Sequence, residues 1–117
     1  MKIAMIGTGY VGLVSGVCLS DFGHEVVCVD KNADKLALLR AGKTPIFEPG
    51  LARLMARNTA ANRLSFTDNL EEACDDADAV FIAVGTPSRR GDGHADLSFV
   101  FGAAKEVASV LKKPTVI

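Results

Sequence analysis

Short apolar runs alternate along the chain with longer segments in which apolar residues recur every three or four positions. The short runs predict buried strands and the longer segments predict amphipathic helices. Strands that alternate with helices are typical of βαβ units, so an α/β fold with a parallel sheet is expected. The predicted strands are Lys2–Ile6, Glu25–Asp30, Leu64–Phe66, Ala79–Val84 and Thr115–Ile117.

The predicted helices begin and end at residues that favour such boundaries. The first starts near Tyr10 and ends before Gly23, a natural stop. Asp96 is placed to cap the last helix. Its predicted apolar stripe is Val100, Phe101, Ala104, Val107, Ala108 and Leu111. The remaining helices are expected at Ala33–Arg40, Leu51–Ala60 and Leu70–Cys74.

The length of the chain, 117 residues and 12.3 kDa, corresponds to one domain. The last predicted strand starts at Thr115, only at the very end of the sequence. A strand in that place favours a fragment of a longer protein, truncated at its last strand. A naturally short sheet with a frayed final strand is the alternative.

Charge and cysteine content exclude several classes of protein. The net charge is −1, from 13 basic and 14 acidic side chains, so binding to nucleic acid is not expected. The three cysteines, Cys18, Cys28 and Cys74, form no CxxC pair. Their number and spacing argue against a disulfide framework and against a metal site, and they favour a cytoplasmic protein.

Residues 3–20 carry no charge and follow Lys2, which resembles a signal peptide or a short membrane span. Glycines at 7, 9, 12 and 16 interrupt this stretch and disfavour a continuous apolar helix. The spacing of these glycines is better explained by the GxGxxG pattern described next, and no membrane association is expected.

The glycines Gly7, Gly9 and Gly12 form a GxGxxG pattern between the first predicted strand and the first predicted helix. Asp30, at the end of the second strand, lies 18 residues beyond Gly12. This combination is the dinucleotide fingerprint of a doubly wound Rossmann sheet, expected here with strand order 3-2-1-4-5 and three layers. Gly7 would permit a tight turn, Gly9 a close approach of pyrophosphate, and Gly12 close packing of the helix on the sheet.

The carboxylate of Asp30 would accept hydrogen bonds from the adenosine ribose and would repel a 2′-phosphate, so NAD is favoured over NADP. Lys31 and Lys35 weaken that preference. Lys35, in the first turn of its helix, is either a contact to the adenosine end or a solvated lysine. The same fingerprint also occurs in FAD proteins, so FAD stays open on the motif alone.

Gly85 and Thr86 follow the fourth predicted strand. In the expected order, strands 1 and 4 are neighbours and the order reverses between them, which is where such sheets bind ligands. Thr86 should therefore face the dinucleotide opposite the glycine-rich loop, unless this segment is an ordinary turn.

No residue is predicted to be catalytic. Cys18 and Cys28 fall within a helix and a strand, and Cys74 lies beside two aspartates that would raise its pKa. His24 and His94 have no partner at triad or metal spacing. The loop containing Arg89 and Arg90 would contact an anionic substrate or be simply solvated.

Several motifs together resemble the UDP-glucose/GDP-mannose dehydrogenase family, and most closely its bacterial UDP-glucose branch. They are residues 5–18, 45–51, 84–87 and 93–98, in order along the whole chain. The resemblance implies an NAD-binding domain at 1–117. Its NAD contacts would be the glycine loop with Tyr10 and Val11, then Asp30, Lys35 and Thr86. The Glu48-Pro49-Gly50 turn also matches a family motif, but its spacing gives it no physical role.

The resemblance also implies a two-step oxidation of the C6 alcohol of UDP-glucose to a carboxylate with two NAD, in nucleotide-sugar metabolism. Sister enzymes act on GDP-mannose or UDP-N-acetylmannosamine. The family's catalytic cysteine, lysine and asparagine motifs are not in this sequence, so the chain alone is expected to be inactive. The intact protein is expected to be a homo-oligomer. A regulatory NAD-sensing module and an FAD-linked domain are the alternatives.

Overall fold

The computed structural model describes all residues, 1–117, and forms a parallel four-stranded sheet with helices on both faces. The strands are β1 (Lys2–Ile6), β2 (Glu25–Val29), β3 (Leu64–Thr67) and β4 (Ala79–Ile82). The helices are α1 (Tyr10–Asp21), α2 (Ala33–Arg40), α3 (Leu51–Ala60), α4 (Leu70–Cys74) and α5 (Ser98–Val110). The predicted α/β class is confirmed.

The strand order is β3-β2-β1-β4, with every neighbouring pair parallel. The predicted order is confirmed for these four strands, and the predicted fifth strand is reduced to a single bridge at the expected edge. Val116 makes only an isolated parallel bridge to Ala79, beside β4. Pro114 has no N–H to donate, and only three residues follow it, so too few backbone groups are available to build a strand.

Both faces of the sheet are buried, as parallel sheets require. On one face, Ile3 and Met5 of β1 join a core that includes Leu13 and Val17 of α1 and Met55 of α3. On the other face, the alternate β1 residues Ala4 and Ile6 pack with α4 and α5. This division gives the predicted three layers and holds the carboxyl ends of the strands in a fixed arrangement.

The α5 helix differs from its prediction in its start and in its buried face. Asp96 accepts a hydrogen bond from the backbone N–H of Ser98 at 2.9 Å, but the residue at the capping position is Leu97. The buried residues of α5 are Ala103 and Val107, whereas Phe101 is 60% exposed. The apolar composition of α5 obscures its orientation in the sequence, because apolar residues occur on more than one side of it.

Two strands end earlier than predicted, β2 at Val29 and β4 at Ile82. Asp30, Gly85 and Thr86 are therefore loop residues at the carboxyl edge of the sheet. The uncharged stretch 3–20 is divided between β1, the glycine loop and α1. No helix in the structure has the length and apolar character needed to cross a bilayer.

Candidate functional site

A cleft of about 750 Å³ opens at the carboxyl ends of β1, β2 and β4. Its position is the point where the strand order reverses, as predicted. Twenty-one residues line it, and they include eight of the nine predicted binding residues. These eight are Gly7, Gly9, Tyr10, Val11, Asp30, Lys35, Gly85 and Thr86. Gly12 is buried below the loop and does not line the cleft.

One side of the cleft, the glycine wall, consists of residues 7–11 with Asp30 and Lys35. Gly7 has a φ of +104°, and a Cβ there would overlap the carbonyl group of Ala83. A Cβ on Gly12 would overlap the carbonyl oxygen of Gly7. No atom lies within 4 Å of where a Cβ of Gly9 would be, so Gly9 faces open space. The loop is thus shaped by two glycines and opened by the third.

The first turn of α1 faces this open space. Gly9 precedes the helix without a side-chain cap, and no acidic residue occupies the first turn. The first hydrogen bond of the helix runs from the N–H of Leu13 to the carbonyl oxygen of Gly9. The N–H groups of residues 10–12 therefore have no partner within the helix. These donors and the positive end of the helix dipole suit an anionic group.

Asp30 is the charged centre of the glycine wall. Its Oδ2 accepts from the Thr8 hydroxyl at 2.5 Å, the Thr8 N–H at 3.3 Å and Lys35 Nζ at 3.3 Å. Its Oδ1 accepts from the Asn32 N–H at 2.9 Å. Burial opposes ionisation, but the hydrogen bonds from Thr8 and Asn32 and the charge of Lys35 outweigh it, so the pKa of Asp30 is lowered.

Both lysines near Asp30 are paired with carboxylates. Lys35 binds Asp30 itself, whereas Lys31 Nζ lies 2.7 Å from the Oε1 of Glu106 on α5. The sequence predicts that Lys31 weakens the preference for NAD, since a lysine there can attract a 2′-phosphate. Its pairing with Glu106 reduces its availability for such a contact.

The opposite side of the cleft, the α5 wall, is formed by the segment after β4 and one face of α5. Its members are Gly85, Thr86, Ser98, Phe99, Gly102, Ala103 and Glu106. Gly85 and Thr86 are exposed and lie across the cleft from the glycine wall, where the sequence predicts a dinucleotide contact. This wall offers mainly apolar and small side chains.

The Glu48-Pro49-Gly50 turn, which has no role on sequence grounds, makes a contact to the glycine wall. The hydroxyl of Tyr10 donates a hydrogen bond to Oε2 of Glu48. This bond ties the segment before α3 to the first residue of α1. No sequence signal indicates it, because 38 residues separate the two partners.

Sequence reasoning also overlooks Thr8, although this residue lies inside the fingerprint. Thr8 is 1% exposed and contacts Asp30 through both its hydroxyl and its N–H. The fingerprint treats its second position as variable, so it points to the glycines alone. A buried hydroxyl beside the acidic residue is visible only in three dimensions.

The cysteines lie outside the cleft lining. Burial raises the pKa of the Cys28 thiol to about 12 and also raises the pKa of Cys74. The direction for Cys74 agrees with the prediction, but its cause is burial and not the neighbouring aspartates. No group of three or more potential ligands is placed to hold a metal ion.

The basic loop after β4 is a closed turn and not part of the cleft lining. Arg89 lies 2.8 Å from Asp92, and Ser88 bridges to Ala95 in antiparallel fashion. His24 Nδ1 lies 3.1 Å from the N-terminal amine, outside the cleft. Arg89, Arg90, His24 and His94 therefore all lie outside the cleft lining.

The sheet, the glycine loop and the acidic residue after β2 define a dinucleotide-binding domain of Rossmann type. The chain belongs to the UDP-glucose/GDP-mannose dehydrogenase family, because the model of that family's NAD-binding domain matches residues 1–117. The cofactor of this domain class is NAD, which settles the choice between NAD and FAD that the fingerprint left open.

The curated relatives include dehydrogenases for two sugar nucleotides. A UDP-glucose 6-dehydrogenase of Rhizobium meliloti is 64% identical over 117 residues, covering 100% of this chain and 27% of that protein. A GDP-mannose 6-dehydrogenase of Pseudomonas aeruginosa is 41% identical over 113 residues, covering 97% of this chain and 26% of that protein. The chain thus spans about a quarter of the length of these relatives.

Solved structures agree with this assignment. A ternary complex of GDP-mannose dehydrogenase from Pseudomonas aeruginosa superimposes with a TM-score of 0.87 at 43% identity. The match covers 92% of this chain and 24% of that one. A UDP-glucose dehydrogenase from Pyrobaculum islandicum gives a TM-score of 0.84 at 46% identity, covering 90% and 24%.

Proposed function

We propose that this chain is the NAD-binding domain of a UDP-glucose 6-dehydrogenase. The intact enzyme would oxidise UDP-glucose to UDP-glucuronate with two NAD. The observation that carries the proposal is the cleft, in which a lowered-pKa carboxylate faces a glycine loop and the free N–H groups of α1. The 64% identical relative favours UDP-glucose over GDP-mannose, whose dehydrogenase is 41% identical.

The glycine wall fits the adenosine diphosphate half of NAD. The N–H groups at the start of α1 would bind the pyrophosphate, with Gly9 leaving room for its approach. Asp30 would accept from the ribose hydroxyls, with Lys35 beside it. Tyr10 and Val11 would border the pyrophosphate, and Gly85 and Thr86 would contact NAD from the opposite wall.

When bound, NAD supplies the hydride acceptor of the reaction. The proposed role of this chain is to bind and orient the cofactor, and none of its cysteines or histidines lines the cleft. We propose that residues 1–117 are one domain of a longer protein that contributes the nucleophile and general base elsewhere. For that intact protein we propose a cytoplasmic location and assembly into homo-oligomers.

Two measurements on the purified chain test the proposed binding role. Calorimetry should show binding of NAD and weaker binding of NADP, because the carboxylate of Asp30 repels a 2′-phosphate. Addition of NAD and UDP-glucose should give no rise in NADH absorbance. Failure to bind NAD would contradict the site, and steady turnover by the chain alone would contradict its assignment as a binding domain.

The substrate is tested in the full-length protein. NADH formation is compared with UDP-glucose, GDP-mannose and UDP-N-acetylmannosamine as substrates. UDP-glucose should give the highest kcat/KM. A preference for either of the other sugar nucleotides would keep the NAD site and overturn the proposed substrate.

A further inference from the structure

We propose that Thr8 is a positioning residue that holds the carboxylate of Asp30 in one orientation, with Oδ2 committed to the protein and Oδ1 left to accept from a ligand hydroxyl. The inference rests on the proposed NAD site. It adds to that site a residue that does not itself need to touch the ligand.

The environment of Thr8 supports this role. Thr8 is 1% exposed, so its hydroxyl cannot be satisfied by bulk water and needs a partner in the protein. That partner is Oδ2 of Asp30 at 2.5 Å, and the N–H of Thr8 reaches the same oxygen at 3.3 Å. Both donors bond Oδ2 and fix its position, and the Asn32 N–H at Oδ1 then limits the rotation of the carboxylate. Bonds of this kind to an ionised acceptor are among the strong ones.

The two oxygens of Asp30 are used unequally. Oδ2 accepts from three donors, two on Thr8 and one on Lys35. Oδ1 accepts from the Asn32 N–H alone. An ionised carboxylate oxygen can accept at least two hydrogen bonds, so Oδ1, with one donor, has room for another. The protein therefore engages Oδ2 and leaves an acceptor position on Oδ1 for a ribose hydroxyl.

The charged groups around Asp30 determine how its pKa responds when the Thr8 hydroxyl is removed. Lys35 on α2 is its cationic neighbour, and Lys31 is engaged by Glu106 of α5. Asp68 also lines the cleft and opposes a negative charge there. Loss of the Thr8 hydroxyl removes a donor that favours the ionised form, so the pKa of Asp30 should rise.

Thr8→Val is the matched variant, because valine keeps the shape of threonine and lacks the hydroxyl. Thr8→Ser is its control, because serine keeps the hydroxyl and loses the methyl group. Thr8→Ala removes the same hydroxyl with less bulk and replaces the valine variant if that one does not fold. Circular dichroism and thermal unfolding of the full chain establish folding for each.

The first readout needs no ligand. The midpoint of the Asp30 titration is followed through its carboxyl carbon by NMR in the free protein. Thr8→Val should move this midpoint to higher pH, and Thr8→Ser should leave it near the wild-type value. The second readout is NAD affinity by calorimetry across pH. Thr8→Val should weaken binding by roughly three- to tenfold. As the pH is lowered, the affinity of this variant should begin to decline at a higher pH than that of the wild type, because its Asp30 is protonated earlier.

The outcomes separate this inference from the proposed function. If the wild type binds NAD and Thr8→Val matches it in both the Asp30 midpoint and the affinity, the role of Thr8 is wrong and the NAD site stands. If Thr8→Ser loses as much affinity as Thr8→Val, packing and not the hydroxyl is responsible, which also overturns the role. If the wild type binds no NAD, the proposed function fails and takes with it the part of the inference that concerns Oδ1.

Discussion

The two walls of the cleft are built in different ways. In the glycine wall, Thr8 is fully buried, Asp30 accepts four hydrogen bonds, and a Cβ on Gly7 would overlap the backbone of Ala83. In the α5 wall, Thr86 is exposed and Phe99 is 57% exposed. The glycine wall is therefore preorganised by backbone geometry and charge, whereas the α5 wall presents exposed side chains without such constraints. Most of the selectivity for a dinucleotide should reside in the first.

Gly12→Ala should have the largest effect, because the added methyl group would overlap the carbonyl oxygen of Gly7 in a buried place. Overpacking of this kind costs about 1–3 kcal/mol, and here it also displaces the loop that faces the pyrophosphate. We expect lower stability in urea unfolding and a larger loss of NAD affinity than a single substitution of any cleft-lining residue produces.

Gly102→Ala is the control for this change in the α5 wall. No atom lies within 4 Å of the position where its Cβ would be, and the residue is inside a helix. Alanine should therefore raise the free energy of unfolding by about 0.5–1 kcal/mol. Equal stability of the two variants would show that the glycine wall is not constrained as described.

Asp30→Ala should have the second largest effect. Hydrogen bonds to charged groups contribute about 1.5–3 kcal/mol, so NAD affinity should fall roughly ten- to a hundredfold by calorimetry. The lowered pKa of Asp30 keeps the carboxylate ionised at neutral pH, and wild-type affinity should decline only as the pH falls through that pKa. The neutral alanine variant should lack this decline.

Asp34→Ala provides a matched loss of charge for this measurement. Asp34 lies in the first turn of α2 and does not line the cleft. Its removal should leave NAD affinity within about twofold, since exposed charges interact weakly across water. Unchanged affinity on removal of Asp30 itself would refute its assignment to the ribose.

The fold was predictable where the periodicity of apolar residues and the positions of glycines indicate the same element boundaries. The strands β1 and β2 and the helix α1 have clear apolar periods and glycine boundaries. Each of their predicted ends lies within one residue of the end in the structure. The orientation of α5 was not predictable, because Val100 and Phe101 are both apolar and only contact with α4 and the sheet decides which is covered. The fifth strand is reduced to one bridge on β4, because Pro114 lacks an N–H and only three residues follow it.

The candidate site was predictable in its local part and not in its long-range part. The glycines and Asp30 fall in one motif whose spacing carries physical meaning. The Tyr10–Glu48 bond and the Lys31–Glu106 pair join residues far apart in sequence, which no spacing rule links. Thr8 lies within the motif, but its role depends on burial, which is a property of the folded chain.

The Tyr10–Glu48 bond tests how far the glycine wall depends on its neighbours. Tyr10→Phe and Glu48→Gln should each weaken NAD binding by about two- to fivefold, because a hydrogen bond with a charged partner orients the Tyr10 ring beside the cleft. The double variant should lose little more than either single variant. Fully additive losses would mean that the two side chains act independently.

The Lys31–Glu106 pair should give the smallest effect, although it spans from the end of β2 to the α5 wall. Its side chains are 80% and 49% exposed, and exposed pairs contribute little. Glu106→Gln should change NAD affinity by less than about twofold, and it should raise NADP affinity slightly by releasing Lys31 toward a 2′-phosphate. Glu71→Gln, which breaks the exposed Lys112–Glu71 pair away from the cleft, is the control and should alter neither affinity. A loss of NAD affinity as large as that of Asp30→Ala would place the dominant contacts in the α5 wall and reverse the comparison.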